Sequence, residues 1–208
     1  MNKPITKEKK ARTRLNPEDR RKEILHAAMK VFIEKGYKNC SVADLVFASG
    51  LSAGGFYHYY KDKSEILYDL MKEGNKQRFD LMLTYMKKHP EVSGLELMAE
   101  LTLDKLLDKN DLKKIYVIFL QELKTDKRLR DLYRKMISES KKDFAAFCKE
   151  HNLQVLSHLD GDIFIALINC IYLGIELLDL RALFVREREH IKKALLKFMG
   201  ELEDKHNE

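Results

Sequence analysis

Residues 41–63, SVADLVFASGLSAGGFYHYYKDK, concentrate hydrogen-bond donors: the hydroxyls of Ser41 and Ser52, the phenols of Tyr57 and Tyr59, the imidazole of His58 and the ammonium groups of Lys61 and Lys63. Neutral donors followed by fixed positive charge suit the phosphate oxygens of a nucleic acid, which proteins hold through hydroxyl, backbone N–H and Lys or Arg groups. No catalytic constellation and no metal-ligand spacing accompanies them. The chemistry to expect is binding.

Two short helices around a tight turn are needed to present these groups. Ser41 and Asp44 have capping-box spacing, and Val42, Leu45 and Val46 give the first helix one apolar face. Gly50 supplies the left-handed residue that ends a helix at low cost, and Leu51 anchors the turn. Ser52 caps a second helix, SAGGFYHYY. On it Phe56 and Tyr60 share the face toward the core, while Tyr57 and His58 fall on the other side. Lys63, with Ser64 as the expected cap of the next helix, adds charge beside free backbone N–H groups. The same residues also fit G-x-S-x-G at 50–54, a hydrolase nucleophile elbow. That elbow requires a buried strand before the serine, and helical spacing stands there instead.

The stretch from Arg21 to Met71 resembles the DNA-binding domain of the tetracycline-repressor (TetR) family. Ile24, Ala27, Ala28, Phe32 and Gly36-Tyr37 carry the likeness first. Ser41-Val42, Leu45, Ala48, Gly50-Leu51-Ser52, Gly54, Phe56-Tyr57, Tyr59-Tyr60, Lys63 and Leu67 complete it. The resemblance implies a DNA interface made of Ser41, Ser52, Ala53, Gly54, Gly55, Tyr57, His58, Tyr59, Lys61 and Lys63. Two departures matter. Ser41 stands where the family often has threonine, and Ala53-Gly54-Gly55 replace the longer polar side chains of many relatives. Few side-chain donors are left for base edges, so shape and backbone readout is expected, with Ala53 against a thymine methyl. Two glycines also predict a helix formed loosely until DNA binds.

Charge points the same way. The chain of 208 residues carries a net +6, and residues 1–22 alone hold nine basic and three acidic side chains. Lys3, Lys7, Lys9, Lys10, Arg12 and Arg14 form an arm suited to phosphates or an adjacent minor groove. The charged N-terminus lacks the apolar core of a signal peptide. The apolar run at 163–178 is too short to span a bilayer and holds Asn169 and Glu176. No membrane is expected. Cys40, Cys148 and Cys170 form no CxxC, which fits a reducing cytoplasm. His151 and His158 are a weak metal signal, and neither metal nor cofactor is expected.

The remaining chain reads as helices throughout. The expected architecture is all-α: a basic flexible arm at 1–15, a three-helix helix-turn-helix domain at 16–63, and a helical effector-binding and dimerisation domain at 64–208. The first helix runs from Pro17 to Lys35 with Asn16 as cap and Gly36 as stop. Further helices are expected at 64–86, 94–108, 112–124, 127–150, 161–180 and 184–204, with Asp111, Asp126 and Asp160 as caps. The resemblance implies that the middle helices enclose a ligand pocket. Phe79, Met82, Tyr85 and Met86 are its candidates on the long helix. Tyr116, Phe119, Phe144, Phe147 and Cys148 come next, with Asn169 and Tyr172 as polar members. Residues 163–178 are apolar on nearly every face, more than one neighbour covers. Phe164, Ile171 and Ile175 there, with Ile191, Leu195, Phe198 and Leu202 on the last helix, are the expected homodimer interface. A twofold dimer implies a palindromic duplex operator. The sum is a repressor released by a hydrophobic or aromatic effector. The alternative is a DNA-bound protein of the same fold answering to a protein partner.

Overall fold

The computed structural model of the chain describes residues 15–92, 94–153, 156, 159 and 161–204. The arm residues Lys3 to Arg14, and the expected cap Asp160 and His158, lie outside them. Among the described residues there are ten helices and no strand. They are α1 (Pro17–Asn39), α2 (Val42–Ser49), α3 (Ala53–Tyr57), α4 (Lys63–Lys88) and α5 (Gly94–Leu107), then α6 (Asp111–Glu122), α7 (Lys127–Glu150), α8 (Asp162–Leu177), α9 (Arg181–Arg186) and α10 (Arg188–Asp204). No helix is long and apolar enough to cross a membrane among these residues.

Local chemistry sets most boundaries. Asn16 accepts from the Asp19 N–H at 2.8 Å and opens α1, with Pro17 in its first turn. Gly36 leaves helical geometry at φ 73°, so the regular helix ends there and one further turn carries the chain to Asn39. Asp126 caps α7 through the Leu129 N–H. Three expectations shift. Asn110 rather than Asp111 caps α6, because its side chain reaches the Lys113 N–H at 2.9 Å. Gly161 stands at the start of α8 with no side-chain cap. The last helix divides at Glu187, which makes α9 and α10 separate elements.

Two buried clusters organise the chain. The first joins Ile24, Phe32, Leu45, Phe56, Tyr60 and Leu67 with Ile115, Phe119 and Leu129 of α6 and α7. The head therefore shares its core with the first half of α4 and with α6, and the interior is continuous across residue 63. The second cluster holds Met82, Leu97, Phe144, Cys148, Leu195 and Met199. Each fully buried large apolar side chain contributes roughly 1.5–3 kcal/mol.

Charge supports α6 from behind. Lys113 is 5% exposed, and its ammonium donates to the Leu106 carbonyl and lies 3.0 Å from Glu176. Arg181 reaches the same carboxylate at 2.8 Å and the Leu107 carbonyl. Burial pushes the Lys113 ammonium below its usual range, whereas the two cations outweigh burial at Glu176 and hold it low. A buried cation survives only with such partners.

Candidate nucleic-acid interface

The corner between α2 and α3 is fixed by side chains that cap both helices. Ser41 Oγ accepts from the Asp44 N–H at 3.1 Å, and Asp44 accepts from the Ser41 N–H at 2.9 Å, which closes the capping box. Lys35 of α1 lies 2.6 Å from Asp44. With Ser41 it holds that carboxyl far below the usual carboxylate range. Gly50 takes the left-handed conformation at φ 62° and returns its N–H to the Phe47 carbonyl. Leu51 packs on the first core cluster, and Ser52 Oγ accepts from the Gly55 N–H at 3.2 Å.

The second helix of the corner is shorter than the SAGGFYHYY stretch expected. Helix α3 ends at Tyr57, and a turn takes the chain through His58 and Tyr59 to Tyr60. Phe56 and Tyr60 are buried, at 0% and 1% exposure, as their spacing required. The Tyr60 hydroxyl donates to Asp69 at 3.0 Å and accepts from Arg21 Nε at 3.0 Å, so α3 is tied to both α1 and α4. Ser41, Ser52, Ala53, Gly54, Tyr57, His58 and Lys61 face solvent, and Gly55 and Tyr59 are half-buried. The exposed run thus lies on the side of α3 away from Phe56.

Lys63 departs from its expected place. Its ammonium donates to the Tyr37 carbonyl at 2.6 Å and the Cys40 carbonyl at 3.0 Å, and sits 4.3 Å from the Tyr37 ring centre. These carbonyls close the turn after Gly36, where a cation offsets unsatisfied acceptors. Nor does Ser64 cap α4. Asp62 does, accepting from the Ser64 and Glu65 N–H groups, while Glu65 accepts from the Lys61 N–H. Two of the N–H groups expected to face an anion, those of Ser64 and Glu65, are thus held by a carboxylate. The sequence shows no sign of this, because D-K-S offers two side chains able to cap the same turn.

Residues 24–70 match the profile of the bacterial regulatory proteins of the tetR family. Residues 24–70 are a TetR-type helix-turn-helix domain. Related TetR-type sequences include the regulator AcrR of Shigella flexneri, 27% identical over 38% of this chain. The repressor AcnR of Corynebacterium glutamicum is 37% identical over 27% of it. The matched stretches span only 37% and 30% of those relatives' own lengths. Among solved structures, Salmonella enterica GusR superposes with a TM-score of 0.69 over 93% of this chain and 100% of its own, at 14% identity. The multidrug binding protein EbrR, complexed with malachite green, gives 0.57 over 86% and 97% at 18% identity. These two likenesses show a shared fold over most of the chain and nothing finer.

The expected pocket residues do not form one chamber. Phe79, Met82, Tyr85, Met86, Phe144, Phe147 and Cys148 belong to the second cluster, whereas Phe119 is buried in the first. Tyr116 and Tyr172 meet edge-on at 5.7 Å in a third, beside Asn169. A helical period assigns faces but does not say which faces meet. Missed altogether is Arg78 of α4, whose guanidinium lies over the Phe79 and Phe144 rings at 4.9 and 5.1 Å. Its signal was a charge on the stripe Met71, Arg78, Met82, Tyr85.

The expected dimer residues also divide. Phe164, Ile175 and Leu195 are at most 5% exposed and pack inside their own protomer, and Ile171, Ile191, Phe198 and Leu202 are partly covered. The uncovered face of α8 is instead Ile163, Ala166, Cys170 and Leu177, continued by Leu178 and by Leu183 and Val185 of α9. Helix α8 has two apolar faces, and the sequence did not tell inward from outward.

Proposed function

We propose that this chain is a homodimeric DNA-binding transcription regulator, a repressor that leaves a palindromic operator when a small effector binds its helical body. The observation that carries the reading is the doubly capped corner with Ala53, Gly54, Tyr57 and His58 on its solvent side. Two small residues let the backbone approach base edges closely, and the exposed phenol and imidazole flank them as phosphate donors. The repressors KstR2 and AcnR among the relatives support this sign of regulation.

The outward apolar stripe of α8 supports the dimer. Uncovered apolar residues in a row mark an interface, and a twofold copy would pair α8 with α8. Half-sites about one helical turn apart, roughly 34–36 Å or a multiple, then fit the two heads. Release stems from the position of α6, which packs on α1, α4 and α8. A ligand that displaces α6 or α4 moves the head with them. Coupling of this kind is reciprocal, so operator DNA weakens effector binding by the same factor. EbrR, complexed with malachite green, lends support to an aromatic effector.

One feature favours a second reading. Phe47 on α2 is 88% exposed, an apolar contact on the head that a protein neighbour would cover. The deciding experiment selects bound fragments from the host genome with purified protein, then footprints the enriched sites. A twofold footprint supports the operator reading. Failure to enrich any palindrome at low salt refutes it. A Phe47→Glu variant that keeps full DNA affinity but loses regulation in cells would shift the case to the protein partner.

A further inference from the structure

Two helices pass from one large buried cluster into the other, and each carries a weak helix former where it crosses. On α4, Leu67 and Met71 lie in the first cluster and Met82 in the second. Gly74 falls between them on the same helical stripe. On α7, Met136 lies in the first cluster and Phe144 in the second, and Ser140 is buried one turn from each. The two helices run side by side there. The Tyr68 hydroxyl donates to Glu139 at 2.8 Å and Phe79 stacks on Phe147 at 5.0 Å, with Gly74 and Ser140 between those contacts along their helices.

Neither packing nor backbone geometry calls for glycine at 74. A Cβ there meets nothing within 4 Å, and the residue sits inside a helix rather than at a left-handed turn. Its effect is on the helix itself. Glycine is among the weakest helix formers, and a serine hydroxyl competes for backbone hydrogen bonds. With an apolar core on either side, this waist is where the chain yields first. We infer that Gly74, together with Ser140, is a hinge between the unit that holds the head and the unit built on α5 and α10. Resting on the reading that paired heads grip one duplex, a dimer holds two such hinges. They let the heads follow a change in half-site spacing that a rigid α4 refuses.

The test begins with amide exchange on the full-length protein, which needs no DNA. Amides 75–78 should exchange faster than those of 67–71 and 82–86. Gly74→Ala should slow them about fivefold, the factor set by the difference in helix propensity. Gly200→Ala is the control, because a Cβ there also meets nothing within 4 Å while the apolar face of α10 stays within the second cluster. Protection that is even along α4 overturns the hinge. Gel shifts then use the operator enriched from the genome and a variant of it lengthened by one base pair between the half-sites. Apparent affinity follows the population of the bent form. Gly74→Ala should therefore weaken binding to the longer duplex, relative to the unaltered one, by about fivefold per hinge, and Gly200→Ala should not. Equal effects of the two substitutions on the longer duplex overturn the proposal. If no palindrome is enriched, the operator reading falls, and the exchange profile alone decides the hinge.

Discussion

Arg128 Nη1 lies 2.7 Å from Asp62 Oδ2, which ties the first turn of α7 to the residue that caps α4. Its other nitrogen, Nη2, is 3.4 Å from Glu65, and Lys38 stands 3.6 Å from Glu122 at the end of α6. These pairs are partly exposed, and exposed pairs contribute only about 0–1 kcal/mol each. On the proposed release mechanism they would couple the helical body to the head. Arg128→Ala should leave the melting temperature within a few degrees of the parent and reduce the effector-induced loss of DNA affinity. Undiminished release in a titration of operator complex with effector would remove these pairs from the mechanism.

Lys63 has a structural task. With its ammonium on the Tyr37 and Cys40 carbonyls, Lys63→Met should destabilise the fold by about 1–3 kcal/mol, the cost of leaving a buried acceptor without its donor. Urea denaturation reads this directly. A variant as stable as the parent would show that water satisfies those carbonyls equally well.

Gly54 and Gly55 should respond differently to alanine. A Cβ on Gly54 meets nothing within 4 Å, whereas one on Gly55 comes within 3.3 Å of Ser52 Oγ, the cap of α3. Gly54→Ala should therefore raise stability, by up to about 1 kcal/mol for a helix interior, yet weaken DNA binding if backbone approach is the readout. Gly55→Ala gains less, because the cap must shift. Melting curves and gel shifts on both variants separate the two effects. Amide exchange at residues 53–58 should also slow on DNA binding, and equal protection in both states would refute a helix that tightens on the operator.

Acid should loosen the corner between α1 and α2. Lys35, then Ser41, depress the Asp44 carboxyl, so ionised Asp44 stabilises the fold above the unfolded carboxylate pKa of roughly 4. That contribution is lost as pH falls toward the folded-state value. Asp44→Asn should flatten the fall in denaturation midpoint below about pH 4. A parallel curve for parent and variant would refute the assignment.

The outward face of α8 makes a prediction about assembly. Ile163→Glu with Leu177→Glu should convert a dimer to a folded monomer in light scattering, because both side chains are more than half exposed in the protomer. Cys170, on the same face, should cross-link between copies with a short bismaleimide. Absence of both effects would move the interface elsewhere.

The corner could be read from residue types because its determinants are local. Ser41, Asp44, Gly50 and Ser52 act within four positions of their own backbone, and the structure places each as a cap or turn. Lys63, Phe164 and Arg78 could not be read this way. Their roles depend on which distant surface arrives: the end of α1 for Lys63, the second core cluster for Phe164, the ring of Phe144 for Arg78. Period and composition give a helix its faces, but the neighbours come from the packing of the whole chain.

The continuous core beneath the reading corner has a consequence for chimeras. Leu67, Met71, Ile115 and Phe119 fill the same interior as Ile24 and Phe56, so a graft cut at residue 63 would leave that interior half lined. Transplanting this protein's specificity onto a foreign body would require carrying α6 along with the first half of α4. The natural unit of exchange is larger than the part that touches the duplex.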